Sequence, residues 1–416
     1  MPLAVFPSSS SVDSLINTPA IWQAGRGPLS LALMDSRNRT LQLLGCFEAA
    51  IREGIPMPRI SELEPPARIV GQVAWHAEWW TSRNPRRGLG PSAISGDARP
   101  PSIHPQADAW FGPDGRGPWP ELDEVRAFML DQLECTLDLL ERTEETDPAL
   151  HIFRAMLFHE DLRGEQLVSL AQAMGLRLPL EPAPALAPRS PIHIQATRWA
   201  LGAPAEGFAP SIERSGLQFQ VPEFEIDAQP VTWSQFIEFV DDGGYDRPEL
   251  WHPQGWEWLQ QVLVTEGRRG PRHVEQIGVS SGAVIQTWFG RSIRLSGMQP
   301  VAHATWWEAD AWARWGGRRL PSEVEWEIAA HRAMGRGFRW GSVLEWTAGS
   351  LHAWPGYVPD HWIAGTPFDP QQHWGRAKVQ RGGSLVMRER MRTLHARRFS
   401  EPENDRPFTG FRTCTV

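Results

Sequence analysis

The sequence is poor in three reactive side chains, since its 416 residues include 3 cysteines, 2 tyrosines and one lysine, Lys378. Cys46, Cys135 and Cys414 lie far apart, so they form neither a disulfide framework nor a CxxC zinc site. This usage indicates a reducing compartment, and we expect a cytoplasmic protein. Covalent catalysis through a lysine amine has a single candidate in the whole chain.

Long hydrophobic runs and an excess of basic charge are also missing. No stretch approaches the roughly 18 apolar residues of a transmembrane helix, and residues 1–11 have neither the basic residues nor the apolar core of a secretory signal. The net charge of −8 gives no general attraction for nucleic acid or anionic lipid. We therefore expect no nucleic-acid or membrane partner. With 41% hydrophobic and 22% charged residues, the composition excludes a disordered chain.

Periodicity divides the chain into two parts. Apolar residues at helical spacing predict helices over 29–51, 68–82, 121–143 and 149–174, which together suggest a four-helix bundle over 1–180. A proline-rich linker is predicted over 181–196. Residues 197–416 alternate short apolar runs with Gly, Pro and Trp turns, so the whole chain is predicted to be of the α+β class.

Two further local patterns stand out. In the second part, helices are predicted over 233–241 and 305–315 and after Ser322, where Ser322 and Glu325 match an S-x-x-E capping box. The segment 84–120 is rich in Pro, Gly and Arg and is too long for a simple connection, and long loops are often functional.

The second part resembles the formylglycine-generating-enzyme-like fold, a C-type-lectin-like scaffold shared with sulfoxide synthases, over about 219–416. The motifs that carry the resemblance are Q-P-V-T at 229–232, P-V at 300–301, G-R-R-L-P-S-E-V-E-W-E at 317–327, E-W-T at 345–347, R-G-G-S at 381–384 and G-F-R at 410–412. Most of these residues are expected to build the scaffold, so they identify a fold and no activity. Formylglycine-generating enzymes use a cysteine pair in this domain, and only Cys414 is present here, which argues against that chemistry.

The first part resembles the DinB-like bundle of ergothioneine-type and ovothiol-type sulfoxide synthases. In that family a His followed by Trp at three and Glu at six residues, together with an H-x-x-x-H-x-E helix, supplies three histidines that hold a non-haem iron. Here the family's first histidine position is Gln72, and a histidine stands one turn later at His76. In the second motif His159 and Glu165 keep their positions, whereas the second histidine is replaced by Arg163, which cannot bind a metal.

Three interpretations remain open. In the first, Fe(II) is held by His76, His159 and a carboxylate as a two-His-one-carboxylate site. Glu165 is the preferred carboxylate because it keeps the family position. In the second, the metal is lost and the protein is a hercynine-binding or interaction module; in the third, the histidines are core residues. Weaker candidates for the site are Glu160, Asp161 and His151.

The resemblance also points to a substrate segment. The family's R-N-W-D-x-P stretch, which contributes to binding of trimethylated histidine (hercynine), reads R-R-F-S-E-P at 397–402. Arg398 could clamp a carboxylate, Phe399 could face the trimethylammonium group, and Ser400 takes the third altered position. Trp346 and Trp354 are further candidates for a cation-binding surround.

The altered motifs resemble those of the selenoneine synthase branch of the family. This resemblance implies a non-haem iron, O2-dependent enzyme that joins C2 of hercynine to a selenosugar. The alternative within the family is an ergothioneine-type sulfoxide synthase, with cysteine or γ-glutamylcysteine as the second substrate. Tyr357 is the predicted proton donor, because it is the tyrosine expected near the active face.

Overall fold

The computed structural model describes residues 15–55, 64–94, 99–113, 115, 120–214, 216–278 and 283–416. Two predictions concern residues outside the described ranges. One is the absence of a secretory signal in residues 1–11, and the other is a functional role for the 84–120 loop, parts of which are not described. None of the described helices is long and apolar enough to cross a membrane.

Helices dominate the N-terminal part, and the four predicted ones are present within a few residues of their expected bounds. The helices are α1 (Arg26–Arg52), α2 (Pro66–Trp80), the short α3 (Ala107–Phe111), α4 (Leu122–Glu141) and α5 (Asp147–Ala173). Helix α5 packs against α1 and α2, and α4 packs against the same two helices. The resemblance of this arrangement to a DinB-like bundle stays a prediction.

Helix α5 is the central element of the molecule. It begins where the Thr146 hydroxyl accepts a hydrogen bond from the Ala149 N–H and Pro148 occupies the first turn, a combination that favours helix initiation. Most of its length is buried. Its polar residues therefore need partners from the surrounding elements, because an unpaired buried polar group is costly.

Strands and short helices alternate in the C-terminal part. The strands are β1 (Ile192–Ile194), β2 (Thr197–Leu201), β3 (Leu217–Val221), β4 (Phe224–Ile226), β5 (Val274–Gly278), β6 (Ala283–Trp288), β7 (Arg291–Leu295), β8 (Arg318–Arg319), β9 (Leu344–Ser350), β10 (Lys378–Gly382), β11 (Arg397–Ser400), β12 (Thr409–Phe411) and β13 (Cys414–Thr415). They form sheets of order β1-β4-β13-β8, β11-β10-β9-β12, β2-β3 and β5-β6-β7. In the second sheet only β12 runs parallel to its neighbour, β9.

The helices of this part are α6 (Trp233–Asp241), α7 (Pro253–Glu266), α8 (Trp306–Trp315) and α9 (Glu323–Arg332). The predicted capping box at the start of α9 is present, with Ser322 and Glu325 satisfying each other's backbone N–H groups. Helices α6 and α8 begin with boxes of the same kind. The sequence patterns did not predict α7.

The motifs at 317–327, 345–347, 381–384 and 410–412 build the scaffold, as expected. The fully buried carboxylate of Glu345 accepts hydrogen bonds from the Trp326 indole (2.8 Å) and the Arg412 guanidinium. Gly382 has a φ of +80°, and a Cβ there would lie 2.8 Å from the Trp326 ring. Only glycine meets both conditions.

A buried ion pair joins the two parts. The Arg390 guanidinium donates to both carboxylate oxygens of Asp161 on α5, at 2.6 and 2.8 Å, and to Asp35 on α1 at 2.8 Å. The Trp22 indole in turn donates to the Arg390 carbonyl (2.7 Å). These contacts hold the segment before β11 against α5, and the candidate site lies between the two.

The boundary predicted between the two parts differs from the structure in one respect. Strand β1 lies inside the predicted 181–196 linker and pairs with β4. The preceding residues also contact the C-terminal part, because the Leu180 carbonyl accepts from the Trp288 indole (2.6 Å) and the Leu186 N–H donates to the Met298 carbonyl (2.8 Å). The segment is therefore packed along the C-terminal part.

Candidate functional site

His76 on α2 and His159 on α5 lie side by side. Their ring centroids are 4.2 Å apart, with planes inclined by 33°. Both side chains are buried. The two histidines come from helices that pack directly against each other, so their positions are fixed by the packing of the helical part.

Both imidazoles are held neutral. Burial, and secondly the Arg163 guanidinium, lower the pKa of His76 to about 3, while a hydrogen bond with the Trp362 backbone acts in the opposite direction. Burial, followed by the neighbouring His76 and Arg163, lowers the pKa of His159 well below its ordinary value. The Nε2 atoms of both rings are buried and have no hydrogen-bond partner among the described residues.

Gln72 and Arg163, which stand where the family resemblance would place two histidines, are hydrogen-bonded to each other. Arg163 Nη2 donates to Gln72 Oε1 at 2.6 Å, and Nη1 donates to Glu64 Oε2, also at 2.6 Å. The two departures from the family motif thus form one unit, and Glu64 compensates the charge of the guanidinium. No sequence motif pointed to Glu64.

These side chains face a cavity of about 350 Å³, the histidine cavity. Its lining comprises Glu64, Arg68, Gln72, Trp75, His76, Phe111, Pro113, His159, Arg163, 364–367 and Gln372. Two unpaired, neutral imidazole nitrogens beside open volume are suited to bind a divalent transition metal, because such ligands must be unprotonated.

The carboxylates proposed as third ligand point elsewhere. Glu160 pairs with Arg37, Asp161 with Arg390, and Glu165 with Arg398 at 3.3 Å. Among the described residues no group of three His, Cys, Asp or Glu side chains is arranged to hold a metal. Glu165 therefore does not join the two histidines. His151 also lies apart, packed against Phe208 at 5.2 Å between ring centroids.

A second cavity of about 390 Å³, the arginine cavity, separates α5 from β11. Its polar and charged lining residues are Glu64, Glu165, Gln166, Ser169, Glu213, His373, Gln380, Arg397, Arg398, Ser400, Glu401, Asn404 and Arg406. It shares Glu64 and Pro367 with the histidine cavity. The two cavities are therefore neighbours.

The predicted substrate segment lines this second cavity. The Arg398 guanidinium lies 5.2 Å from the centre of the Phe158 ring while pairing with Glu165. Phe399 packs against His373 at 5.1 Å, and Ser400 Oγ accepts from the Asn404 amide at 2.7 Å. Three consecutive residues of β11 thus line one cavity with a cation, an aromatic ring and a hydroxyl group.

Three other predicted residues lie outside both cavities. Trp346 is fully buried in the core and donates to the Ala304 carbonyl (2.8 Å). Trp354 lies under the Arg397 guanidinium, at 4.2 Å from its ring centre. Tyr357 packs edge-on against Trp374, and burial raises the pKa of its hydroxyl. The described lining of the cavities therefore gives Tyr357 no contact with a bound substrate.

The glutamate that keeps its place in the first family motif has a structural role here. Glu78 accepts hydrogen bonds from the Ser102 hydroxyl and the Ile103 N–H, both at 2.7 Å. It thereby ties the 84–120 segment to α2. The same segment is held by the Arg83–Asp108 ion pair (2.6 Å).

Comparisons with known proteins agree with this architecture. Residues 181–342 match the family model of the sulfatase-modifying factor enzyme 1-like domain. The chain is 29% identical to hercynine oxygenase of Mycolicibacterium smegmatis over 344 residues, which cover 70% of this chain and 77% of the relative. It is 28% identical to hercynine oxygenase of Mycolicibacterium thermoresistibile, with 93% and 94% covered.

A formylglycine-generating enzyme of Streptomyces coelicolor is 30% identical over 43% of this chain and 60% of the relative. In this chain Cys414 is buried in β13, and burial raises the pKa of its thiol to about 12, so the thiol is unreactive. The chain thus carries a region similar to the sulfatase-modifying factor enzyme 1-like domain and is, over most of its length, homologous to hercynine oxygenases.

Proposed function

We propose that this chain is an oxidoreductase that joins C2 of hercynine to a selenium or sulfur donor in an O2-dependent reaction. The observation that carries the proposal is the adjacency of the two cavities. The arginine cavity is lined by the segment that resembles the hercynine-contacting stretch of the family, and it shares Glu64 and Pro367 with the histidine cavity, which His76 and His159 line. The names of the homologous hercynine oxygenases support the same substrate.

Hercynine offers a carboxylate, a trimethylammonium group and an imidazole. The rings of Phe158 and Phe399 present aromatic surface to the cation. The Arg398 guanidinium can donate hydrogen bonds to the carboxylate. Because Glu165 pairs with Arg398 within this cavity, we assign Glu165 to orienting that arginine instead of binding the metal.

His76 and His159 would hold Fe(II), since both are neutral, both line the histidine cavity and the Nε2 atom of each is unpaired among the described residues. When bound, Fe(II) supplies the redox chemistry that couples dioxygen to oxidation of the donor. The protein's own contribution is to keep both imidazoles unprotonated through burial. The Arg163–Glu64 pair beside them is charge-compensated, which limits its repulsion of a cation.

The charges of the arginine cavity favour a sugar donor over γ-glutamylcysteine, which carries two carboxylates. Glu64, Glu165, Glu213 and Glu401 all line the cavity. Of the three arginines that line it, Arg397, Arg398 and Arg406, Arg397 is engaged by Glu323 at 2.8 and 3.1 Å, and Arg398 is assigned to the hercynine carboxylate. A neutral polyol is repelled less by these glutamates than a ligand with two carboxylates. We therefore propose a selenosugar as the donor and the thiols as the alternative.

The metal assignment is tested by a matched pair of substitutions on α5. His159 and His151 are both buried with an unpaired Nε2, and only His159 lines the histidine cavity. In His159→Ala we expect loss of copurifying iron and of turnover, whereas His151→Ala should keep both. Equal iron content in the two variants would show that the histidine pair does not hold the metal.

The reaction is tested by incubating the iron-loaded protein with hercynine and air, and separately adding selenoglucose, cysteine or γ-glutamylcysteine. A product of mass corresponding to the selenium adduct supports the proposed donor. A product only with a thiol assigns the ergothioneine-type reaction. Hercynine affinity without oxygen consumption in any mixture would mean that the protein is a binding module.

A further inference from the structure

Glu213 stands on the wall between two cavities. It ends the short 3-10 turn Ser211–Glu213 between β2 and β3 and lines the arginine cavity on one side. On the other side lies a cavity of about 400 Å³, the outer cavity, which includes Trp22, Phe208 and Met391. Phe158, Pro210 and Glu213 line both spaces, and Glu213 is the ionisable member of this set.

The Glu213 carboxylate has little compensation for its burial. Its side chain is 4% exposed, and the described residues give it one hydrogen bond, from the Arg397 N–H at 3.3 Å. The two nearby guanidinium groups form ion pairs with other glutamates. Arg397 pairs with Glu323, and Arg398 pairs with Glu165.

Charged and titratable groups surround Glu213 on every packed element. Arg398 on β11, the Arg397 N–H and Arg381 on β10 favour its ionised form, and Glu327 on α9 opposes it. The remaining titratable residues that line the outer cavity are Glu206, Arg392 and His395. Burial outweighs the favourable charges and raises the pKa of Glu213 to about 7.

We propose that Glu213 is a proton-exchange group that selects for a cationic ligand in the arginine cavity. With the cavity empty, the buried carboxyl is protonated in part of the molecules near neutral pH. A quaternary ammonium group bound beside it favours the carboxylate, and the O–H bond breaks, with the electron pair left on the carboxylate oxygen. The proton passes to water in the outer cavity. This inference rests on the proposed function for the identity of the cation, hercynine.

The magnitude follows from the pKa of about 7. At pH 7 a group with this pKa is about half protonated, so full ionisation on binding releases about half a proton. The experiment is isothermal titration of hercynine into the protein at pH 7 in two buffers of different ionisation enthalpy. The variants are Glu213→Gln, which keeps the shape of the side chain, and Glu206→Gln, which changes a glutamate that lines only the outer cavity.

Wild type and Glu206→Gln are expected to release about half a proton on binding, and Glu213→Gln to release none. An unchanged proton count in Glu213→Gln overturns the inference and leaves the proposed function standing. If wild type fails to bind hercynine, the proposed function fails. Infrared titration of unliganded wild type between pH 6 and 8 then tests whether Glu213 ionises in this range. A protonated-carboxyl band that does not change with pH overturns the inference, and this test does not depend on the folding of the Glu213→Gln variant.

Discussion

Replacing Arg390 by methionine is expected to remove the main ionic link between the two parts of the chain. The guanidinium is completely buried, and Asp161 is 1% exposed. Without Arg390, Asp161 loses two short charge-assisted hydrogen bonds and keeps only that from the Ser36 hydroxyl at 2.9 Å. Leaving one member of a buried ion pair uncompensated costs about 3–5 kcal/mol, which we expect as the loss in free energy of unfolding.

The assay is urea unfolding at pH 7, with Arg247→Ala as the control. Arg247 forms ion pairs in which both partners are more than 40% exposed, and such pairs contribute less than about 1 kcal/mol. Adding Asp161→Asn to the Arg390→Met variant removes the unpaired charge and should restore part of the loss. A loss in Arg390→Met no larger than in Arg247→Ala would refute the reasoning.

Two further predictions concern stability. Burial lowers the pKa of His303 to about 4 and that of His151 to about 3, below an unfolded value of about 6.5. Their contribution to the free energy of unfolding should therefore be fully present above pH 6.5 and should fall by about 1.4 kcal/mol per pH unit for each histidine between pH 6.5 and its folded pKa. A plot of urea midpoint against pH whose slope is unchanged in His151→Gln would contradict this. Gly382→Ala should lower the free energy of unfolding by about 2 kcal/mol or more and so lower the thermal midpoint, because the φ is +80° and the new Cβ meets Trp326. The control Gly335→Ala, where the new Cβ has open space around it, should leave the thermal midpoint nearly unchanged.

Local patterns predicted the helices well. Helices α1, α2, α4 and α5 follow from apolar periodicity, and the start of α9 follows from the Ser322–Glu325 box. Both signals reside within a few turns of chain, where side-chain spacing alone fixes the outcome. Helix α7 was not predicted because its tryptophans do not form a clear apolar stripe. Pro253 in its first turn and Gly267 after its end are nevertheless ordinary boundary signals.

The polar residues of the site were harder to predict, since their partners are distant in sequence. Glu213 lies in a short turn with no motif, and its character comes from burial between two cavities. Motif position predicted the third metal ligand among three carboxylates of α5, Glu160, Asp161 and Glu165. The structure shows each of them already paired with an arginine of another element: Arg37, Arg390 and Arg398.

The two tryptophans predicted to surround a bound cation, Trp346 and Trp354, lie outside both cavities. Trp346 and Trp354 follow family positions, and each has a packing role: one bonds the Ala304 carbonyl, and the other lies under Arg397. The aromatic rings that line the arginine cavity are instead phenylalanines, Phe158, Phe368 and Phe399. The sequence predicted Phe399, Trp346 and Trp354 around a bound cation, and of these three residues Phe399 alone lines the arginine cavity.

Gln72 and Arg163 show most clearly why residues must be judged in pairs. Each substitution taken alone removes a metal ligand, and together they would indicate a lost site. In the fold the amide accepts from the guanidinium across 91 positions of sequence, and Glu64 balances the charge. The replacement leaves the Nε2 atoms of His76 and His159 unpaired, which is the state a metal ligand requires.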